Sequence, residues 1–156
     1  MQILLLAVGT KMPAWVTQGY KEYEQRMPAS CSLQLKEITA EKRTKNSNVK
    51  AIQEKEAAKI KQAIPNSSRV VALDVSGQSW STEKLANRLE DWMMGGQDIA
   101  LLVGGPDGLT HELLSLADEK WSLSTLTFPH PLVRVIVAEQ LYRAYSVTQN
   151  HPYHRA

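Results

Sequence analysis

The sequence predicts an α/β fold, with a mostly parallel sheet and helices on both faces. Three observations predict it. Short apolar runs alternate with stretches of helical periodicity, in the order strand, helix, strand, helix. The most apolar run, Ile99–Val103, leads directly into Gly104-Gly105-Pro106-Asp107-Gly108 and then into a helical stretch. No internal repeat or low-complexity linker interrupts the 156 residues, so a single domain, 1–156, is expected, large enough to bury a core without staples.

Ile3–Val8 reads as a buried strand, and Pro13 opens a helix in its first turn that runs to about Arg26. Ser32–Ile38 alternates imperfectly and reads as the second strand. The polar stretch Thr39–Asn48, with Lys42, Arg43 and Lys45, reads as a mobile loop. A helix follows from about Asn48 to Ala63, its apolar stripe of Val49, Ile52, Ile60, Ala63 and Ile64 spoiled by Glu56. Pro65-Asn66 ends it, and Arg69–Leu73 is a short β-rich run. Ser81 can cap the next helix, in which Leu85, Ala86, Leu89, Trp92 and Met93 keep helical spacing until Gly95-Gly96 stops it. After the strand Ile99–Val103, Thr110 can cap a short helix to about Asp118. Leu123–Phe128 is extended or looped, and Pro131 opens a last helix to about Thr148.

That last helix is apolar around nearly its whole circumference, with Leu132, Val133, Val135, Ile136, Val137, Leu141, Tyr142, Tyr145 and Val147. A helix apolar all round must be buried all round. In a domain this small, one face can meet the sheet and another a second subunit, so a homodimer is expected.

Composition narrows the class. Hydrophobic residues make up 43% and charged residues 22%, as in ordinary soluble globular proteins. The one cysteine, Cys31, permits no internal disulfide and suits a reducing cytoplasm. The apolar start, Met1–Val8, is too short for a membrane span and lacks a signal-peptide layout, so no membrane association is expected. Residues 1–64 hold 11 Lys and Arg against 6 Asp and Glu, and residues 65–156 hold 7 against 10. A basic half joined to a mildly acidic one hints at an anionic partner, although solvated helices that use lysine would give the same count.

Three constellations could carry chemistry. Gly104–Gly108 lies beyond a strand's carboxyl end, where open α/β sheets bind ligands, and its glycines let a ligand approach the backbone. A tight strand-to-helix turn would look the same. It is neither a P-loop, since no Lys-Ser/Thr pair follows, nor a GxGxxG dinucleotide turn. The second constellation is Leu123-Ser124-Thr125-Leu126-Thr127-Phe128 leading into Pro129-His130-Pro131. The prolines stiffen the backbone on both sides of His130, which sits just before a helix start. Free N–H groups there lower a histidine's pKa, and a helix cap is the plainer alternative. The third is the tail, Asn150-His151-Pro152-Tyr153-His154-Arg155. Its His, Tyr and Arg could close over a site and hold a nucleotide, or simply fray. A metal site from His130, His151 and His154 would need a fourth ligand, and Cys31 lies far away in sequence, so no metal is expected.

At these motifs the chain closely resembles the RlmH-type family of SPOUT-class methyltransferases, which methylate N3 of a pseudouridine in 23S ribosomal RNA. The likeness runs over the whole chain. It passes from Leu6-Ala7-Val8-Gly9 through Leu73-Asp74, Leu102–Gly108, Thr127–Arg134 and Glu139–Ala144 to Tyr153-His154-Arg155. It implies a SPOUT-type α/β fold with a C-terminal trefoil knot, a homodimer, S-adenosylmethionine as cofactor, and ribosomal RNA or the ribosome as partner. It further implies a cofactor site made of Leu73, Gly104, Gly105 and Leu123, Ser124, Thr125, Leu126, Thr127 and Phe128. Tyr153 and Arg155 would act on the target base, with His130 close by.

From that resemblance the expected chemistry is an in-line displacement at a sulfonium methyl. The N3 imide must lose its proton, so a base or anion stabiliser is needed. Arg155 is expected to stabilise charge on the base carbonyls, Tyr153 to orient the base or relay the proton, and His130 to serve as base or positioning group. Gly105→Val is expected to fill the adenosyl space. Two rivals stay open. One is a same-fold methyltransferase acting on another RNA position, since pocket shape reads the base. The other is a non-enzymatic ribosome-binding protein.

Overall fold

In the computed structural model residues 1–155 are described. The chain forms β1 (Gln2–Val8), α1 (Ala14–Glu24), β2 (Ser32–Ile38), α2 (Val49–Ala63) and β3 (Arg69–Ser79). It continues with α3 (Thr82–Gly95), β4 (Ile99–Val103), α4 (His111–Leu116), β5 (Glu119–Ser122) and α5 (His130–Thr148). The helix starts follow from side chains that take up otherwise unpaired N–H groups. Asn48, Ser81 and Thr110 accept from Ala51, Lys84 and Leu113 at 3.2, 3.0 and 3.3 Å. Gly96 closes α3 with φ +69°, a conformation that favours glycine.

The strands pair in the order β2-β1-β4-β3-β5, and every pairing is parallel. Their carboxyl ends therefore share one edge of the sheet, which is where such folds place ligands. The central strands alternate their side chains between two buried faces. Ile3, Leu5, Val71, Ile99 and Leu101 pack with Tyr20 of α1, Leu85 and Leu89 of α3, and Val137 and Leu141 of α5. Leu6, Val8, Val70, Ala100 and Leu102 pack with Ala57 and Ile60 of α2 and Leu113 of α4. Cys31 is buried in the first of these clusters, and burial pushes its thiol up to about 11.

Three departures from the sequence reading have physical causes. The strand β5 falls between the expected short helix to about Asp118 and the stretch Leu123–Phe128, where no element is expected. It is an edge strand of four residues, held by its neighbours rather than by its own propensity: Glu119 accepts from Arg69 Nε at 2.8 Å and Trp92 Nε1 at 2.9 Å, and also from Arg88. The strand β3 runs past Leu73 to Ser79, and its pairing with β5 loses register between Leu73 and Gln78. The last helix begins at His130 rather than Pro131, and Pro129 occupies the cap position. Residues of α1 and α3 flank α5 within the chain, which accounts for much of its apolar circumference without a second subunit.

Candidate functional site

Three segments at the carboxyl edge of the sheet enclose a cleft of about 530 Å³. The first is Leu73-Asp74-Val75, where β3 parts from β5. The second is the glycine turn after β4, and the third is the loop after β5, from Leu123 to Pro129. The size suits a small-molecule ligand, and most of the lining is apolar. Leu126, 68% exposed, and Val75 are apolar side chains left open to solvent at this cleft. The third segment is shaped by its own hydroxyls: Ser122 Oγ donates to Ser124 O at 3.0 Å, and Ser124 Oγ accepts from Leu126 N–H at 3.0 Å.

The glycine turn is fixed by close approach. Gly108 N–H donates to Gly105 O at 3.0 Å. A Cβ on Gly104 would stand 2.5 Å from the carbonyl carbon of Gly108, so no other residue fits there without moving backbone. A Cβ on Gly105 would meet Val8 Cγ1 at 3.1 Å and Glu56 Oε1 at 3.5 Å. It points into the protein, not into the cleft. Gly105→Val would therefore act by pressing on Val8 rather than by filling an adenosyl space.

Glu56, the residue that spoils the stripe of α2, is only 3% exposed. It accepts from Arg43 Nη2 at 2.8 Å, Arg43 Nη1 at 3.0 Å and Glu41 N–H at 3.0 Å. Arg43 also donates through Nε and Nη2 to Asp107 Oδ2 at 3.0 and 2.9 Å. The stretch read as a mobile loop is thus tied to α2 and to the glycine turn by one guanidinium.

Of the sequence-derived site residues, Leu73, Gly104, Gly105, Leu123, Ser124, Leu126, Thr127, Phe128 and His130 line this one cleft. Thr125, although in the same loop, does not. The imidazole of His130 is held below the usual histidine range, first by burial and then by the charges of Arg134 and Arg43, with Glu56 opposing. Burial and cations therefore do what the helix start was expected to do.

The tail is not at the cleft. It forms a short 3-10 turn, Pro152–His154, packed against the carboxyl half of α5. Tyr153 Oη donates to Glu139 Oε1 at 3.0 Å, and its ring meets Tyr142 edge-on at 4.7 Å between centroids. Burial, then hydrogen bonds with Tyr23 and Glu139, raise the Tyr153 phenol, so it stays a donor at neutral pH. Arg155 is exposed. His130 and the pair His151 and His154 lie at opposite ends of α5. Among the described residues, no group of three His, Cys, Asp or Glu could hold a metal ion. Nor is any helix among them long and apolar enough to cross a membrane.

Sequence reasoning missed Asp74, Val75, Pro129 and Val133 in the cleft wall, and Arg134 behind it. The signal for Arg134 was available, as a lone charge on the sheet-facing side of an apolar helix.

A family model described as "Predicted SPOUT methyltransferase" matches residues 1–154. A protein of Thioalkalivibrio sulfidiphilus (strain HL-EbGR7) named Ribosomal RNA large subunit methyltransferase H is 59% identical over 155 residues, 99% of each chain. Among solved structures, a probable methylase family protein from Haemophilus influenzae Rd KW20 superposes with a TM-score of 0.59 at 14% identity, covering 97% of this chain and 69% of that one. A putative methylase family protein from Neisseria gonorrhoeae gives 0.52 at 12%, covering 90% and 80%. These two likenesses speak for the fold alone.

Proposed function

The chain belongs to the SPOUT methyltransferase family, and from that premise we propose that it methylates N3 of a pseudouridine in 23S ribosomal RNA, in the large subunit or the assembled ribosome, with S-adenosylmethionine as methyl donor. The printed name of the relative that is 59% identical supports ribosomal RNA of the large subunit as substrate. The observation that carries the reading is the convergence of Leu73–Val75, the glycine turn and the Leu123–Pro129 loop on one cleft.

The cleft's chemistry fits that cofactor. Its apolar walls suit an adenine ring, backbone groups at Gly104-Gly105 and the hydroxyls of Ser124 and Thr127 suit its polar edges, and Asp74 suits a cationic group. When bound there, S-adenosylmethionine would supply an electrophilic methyl group. The chain must do the rest: exclude water, align the base and take its N3 proton. His130, on the cleft wall and held neutral, has the properties of the group that accepts that proton. Arg155 would stabilise negative charge on the base carbonyls, and Tyr153 would orient the base.

The working unit in this proposal is a homodimer. The tail sits away from its own cleft, so a second copy is needed to bring Tyr153 and Arg155 to a cofactor site. Trp15 on α1, 57% exposed, and the incompletely covered Leu132 and Ile136 on α5 offer apolar surface for it. The trefoil knot that the family resemblance implies belongs to the same proposal. The cytoplasm, where ribosomes work, would be the compartment.

Mass spectrometry of ribosomal RNA tests the proposal, after ribosomes are incubated with the protein and labelled S-adenosylmethionine. A label on one pseudouridine of 23S RNA is expected. A label on small-subunit or transfer RNA would move the substrate elsewhere. No label, with no cofactor binding, would leave a ribosome-binding protein.

A further inference from the structure

Arg134 is the largest fully buried side chain of the protein, at 2% exposure. Burying a guanidinium is costly unless its donors are met. Here Nη2 donates to Gly9 O at 2.6 Å and Nη1 to Glu37 Oε2 at 2.7 Å, while Nε is buried with no partner. An apolar residue would pack this position without leaving a donor unpaired, so stability alone gives a poor account of an arginine there.

Its surroundings suggest another. Arg134 stands one helical turn after His130 on α5, so both side chains lie over the same strand ends. Both converge on Gly9, at the carboxyl end of β1. A Cβ placed there would lie 3.5 Å from Arg134 Nη2 and 3.6 Å from His130 Nε2. We propose that Arg134 is a positioning residue: anchored on Gly9 and Glu37, it fixes where His130 stands at the cleft and sets the field in which that imidazole works. The proposal rests on the reading of His130 as the group that takes the proton.

The charged groups around His130 come from several elements. Arg134 lies on its own helix, Arg43 on the segment between β2 and α2, and Glu56 on α2, while Asp74 of β3 lines the same cleft. Two cations outweigh Glu56, and with burial they hold the imidazole below the usual range. Glu37 pairs with Arg134 at 2.7 Å and partly neutralises it, so it moderates that effect.

The two partners therefore have opposite predicted effects, which separates a field from mere loosening of the fold. The test follows the His130 imidazole signal by NMR against pH in the unliganded full-length protein. Arg134→Gln should raise its titration midpoint by roughly half a pH unit or more, and Glu37→Gln should lower it. A general disruption would move both variants the same way, toward the ordinary value, and would overturn the proposal, as would no movement in either. Should Arg134→Gln fail to fold, Arg134→Lys and Glu37→Gln carry the test. The lysine should keep the lowered midpoint but lose the two-pronged anchor, cutting kcat about tenfold with little change in cofactor affinity. Unchanged kcat in Arg134→Lys would overturn the positioning role. The titration needs no substrate, so failure of the wild-type protein to methylate ribosomal RNA would refute the proposed function without touching this result.

Discussion

The hydroxyl of Tyr153 donates to the carboxylate of Glu139 at 3.0 Å, and that contact holds the tail against its own α5. Glu139 lies nine residues after His130 on that helix, or about 13 Å along its axis. His130 and Tyr153, both proposed to act on the target base, thus stand apart, and within one chain they do not meet. Mixing a Gly104→Ala chain with an Arg155→Ala chain should therefore restore activity that neither homodimer has. Random pairing leaves one intact composite site in half of the dimers, so about a quarter of wild-type activity is expected. Activity no greater than the sum of the two separate homodimers would place the tail and pocket of one chain in the same site.

The proposed cofactor pocket should be weakened through backbone geometry. A Cβ on Gly104 has nowhere to go, because the neighbour at 2.5 Å is the Gly108 backbone. Gly104→Ala should weaken S-adenosylmethionine binding about tenfold or more, measured by calorimetry. Gly95 is the control: a Cβ there meets nothing within 4 Å, so Gly95→Ala should bind as wild type. Equal affinities in the two variants would remove the glycine turn from the site.

Much of this was legible in the sequence, and the residues show why. Ile99–Val103 followed by Gly104-Gly105 announces a buried strand and a tight turn by composition alone. Ser81, Asn48 and Thr110 announce helix starts through short-range hydrogen bonds. Both signals are local. Glu119–Ser122 carried no such signal, because its strand exists through pairing with Val71–Leu73 and through carboxylate contacts with Arg69, Arg88 and Trp92. Glu56 looked like a flaw in an apolar stripe, and Arg134 stood out only as the end of the Thr127–Arg134 motif, since their partners Arg43, Asp107, Glu37 and Gly9 are distant in sequence. The Gly105 error was one of direction: the residue was located, but not where its Cβ would point.

Arg43 gives a prediction about stability. Removing it strands Glu56, a carboxylate at 3% exposure, with the Glu41 N–H as its remaining donor. Breaking a fully buried pair costs about 3–5 kcal/mol. Arg43 itself is 28% exposed, and water can reach the gap, so a loss of about 1–3 kcal/mol is expected for Arg43→Ala. Urea denaturation measures it as a lower midpoint at unchanged slope. Glu56→Gln on the Arg43→Ala background should recover part of the loss, because a neutral amide is cheaper to bury. An Arg43→Ala protein as stable as wild type would show that the loop is not anchored by this guanidinium.

The lowered pKa of His130 fixes the sign of two pH effects. Burial comes first among its causes, followed by the charges of Arg134 and Arg43. An unfolded histidine titrates near 6.5. Between that value and the lower folded one, the unfolded chain binds a proton that the folded chain refuses, so acidification favours unfolding there. The penalty is absent above the unfolded value and complete below the folded one. Activity should follow the same group. A neutral imidazole can accept the N3 proton, so the acid limb of kcat/KM should fall below the ordinary histidine value rather than at it. His130→Asn should abolish that limb and cut kcat by roughly 10²–10⁴-fold. The limb must disappear together with the rate, because a variant that is slower yet keeps its acid limb would assign the titration to another group and leave His130 only a positioning role.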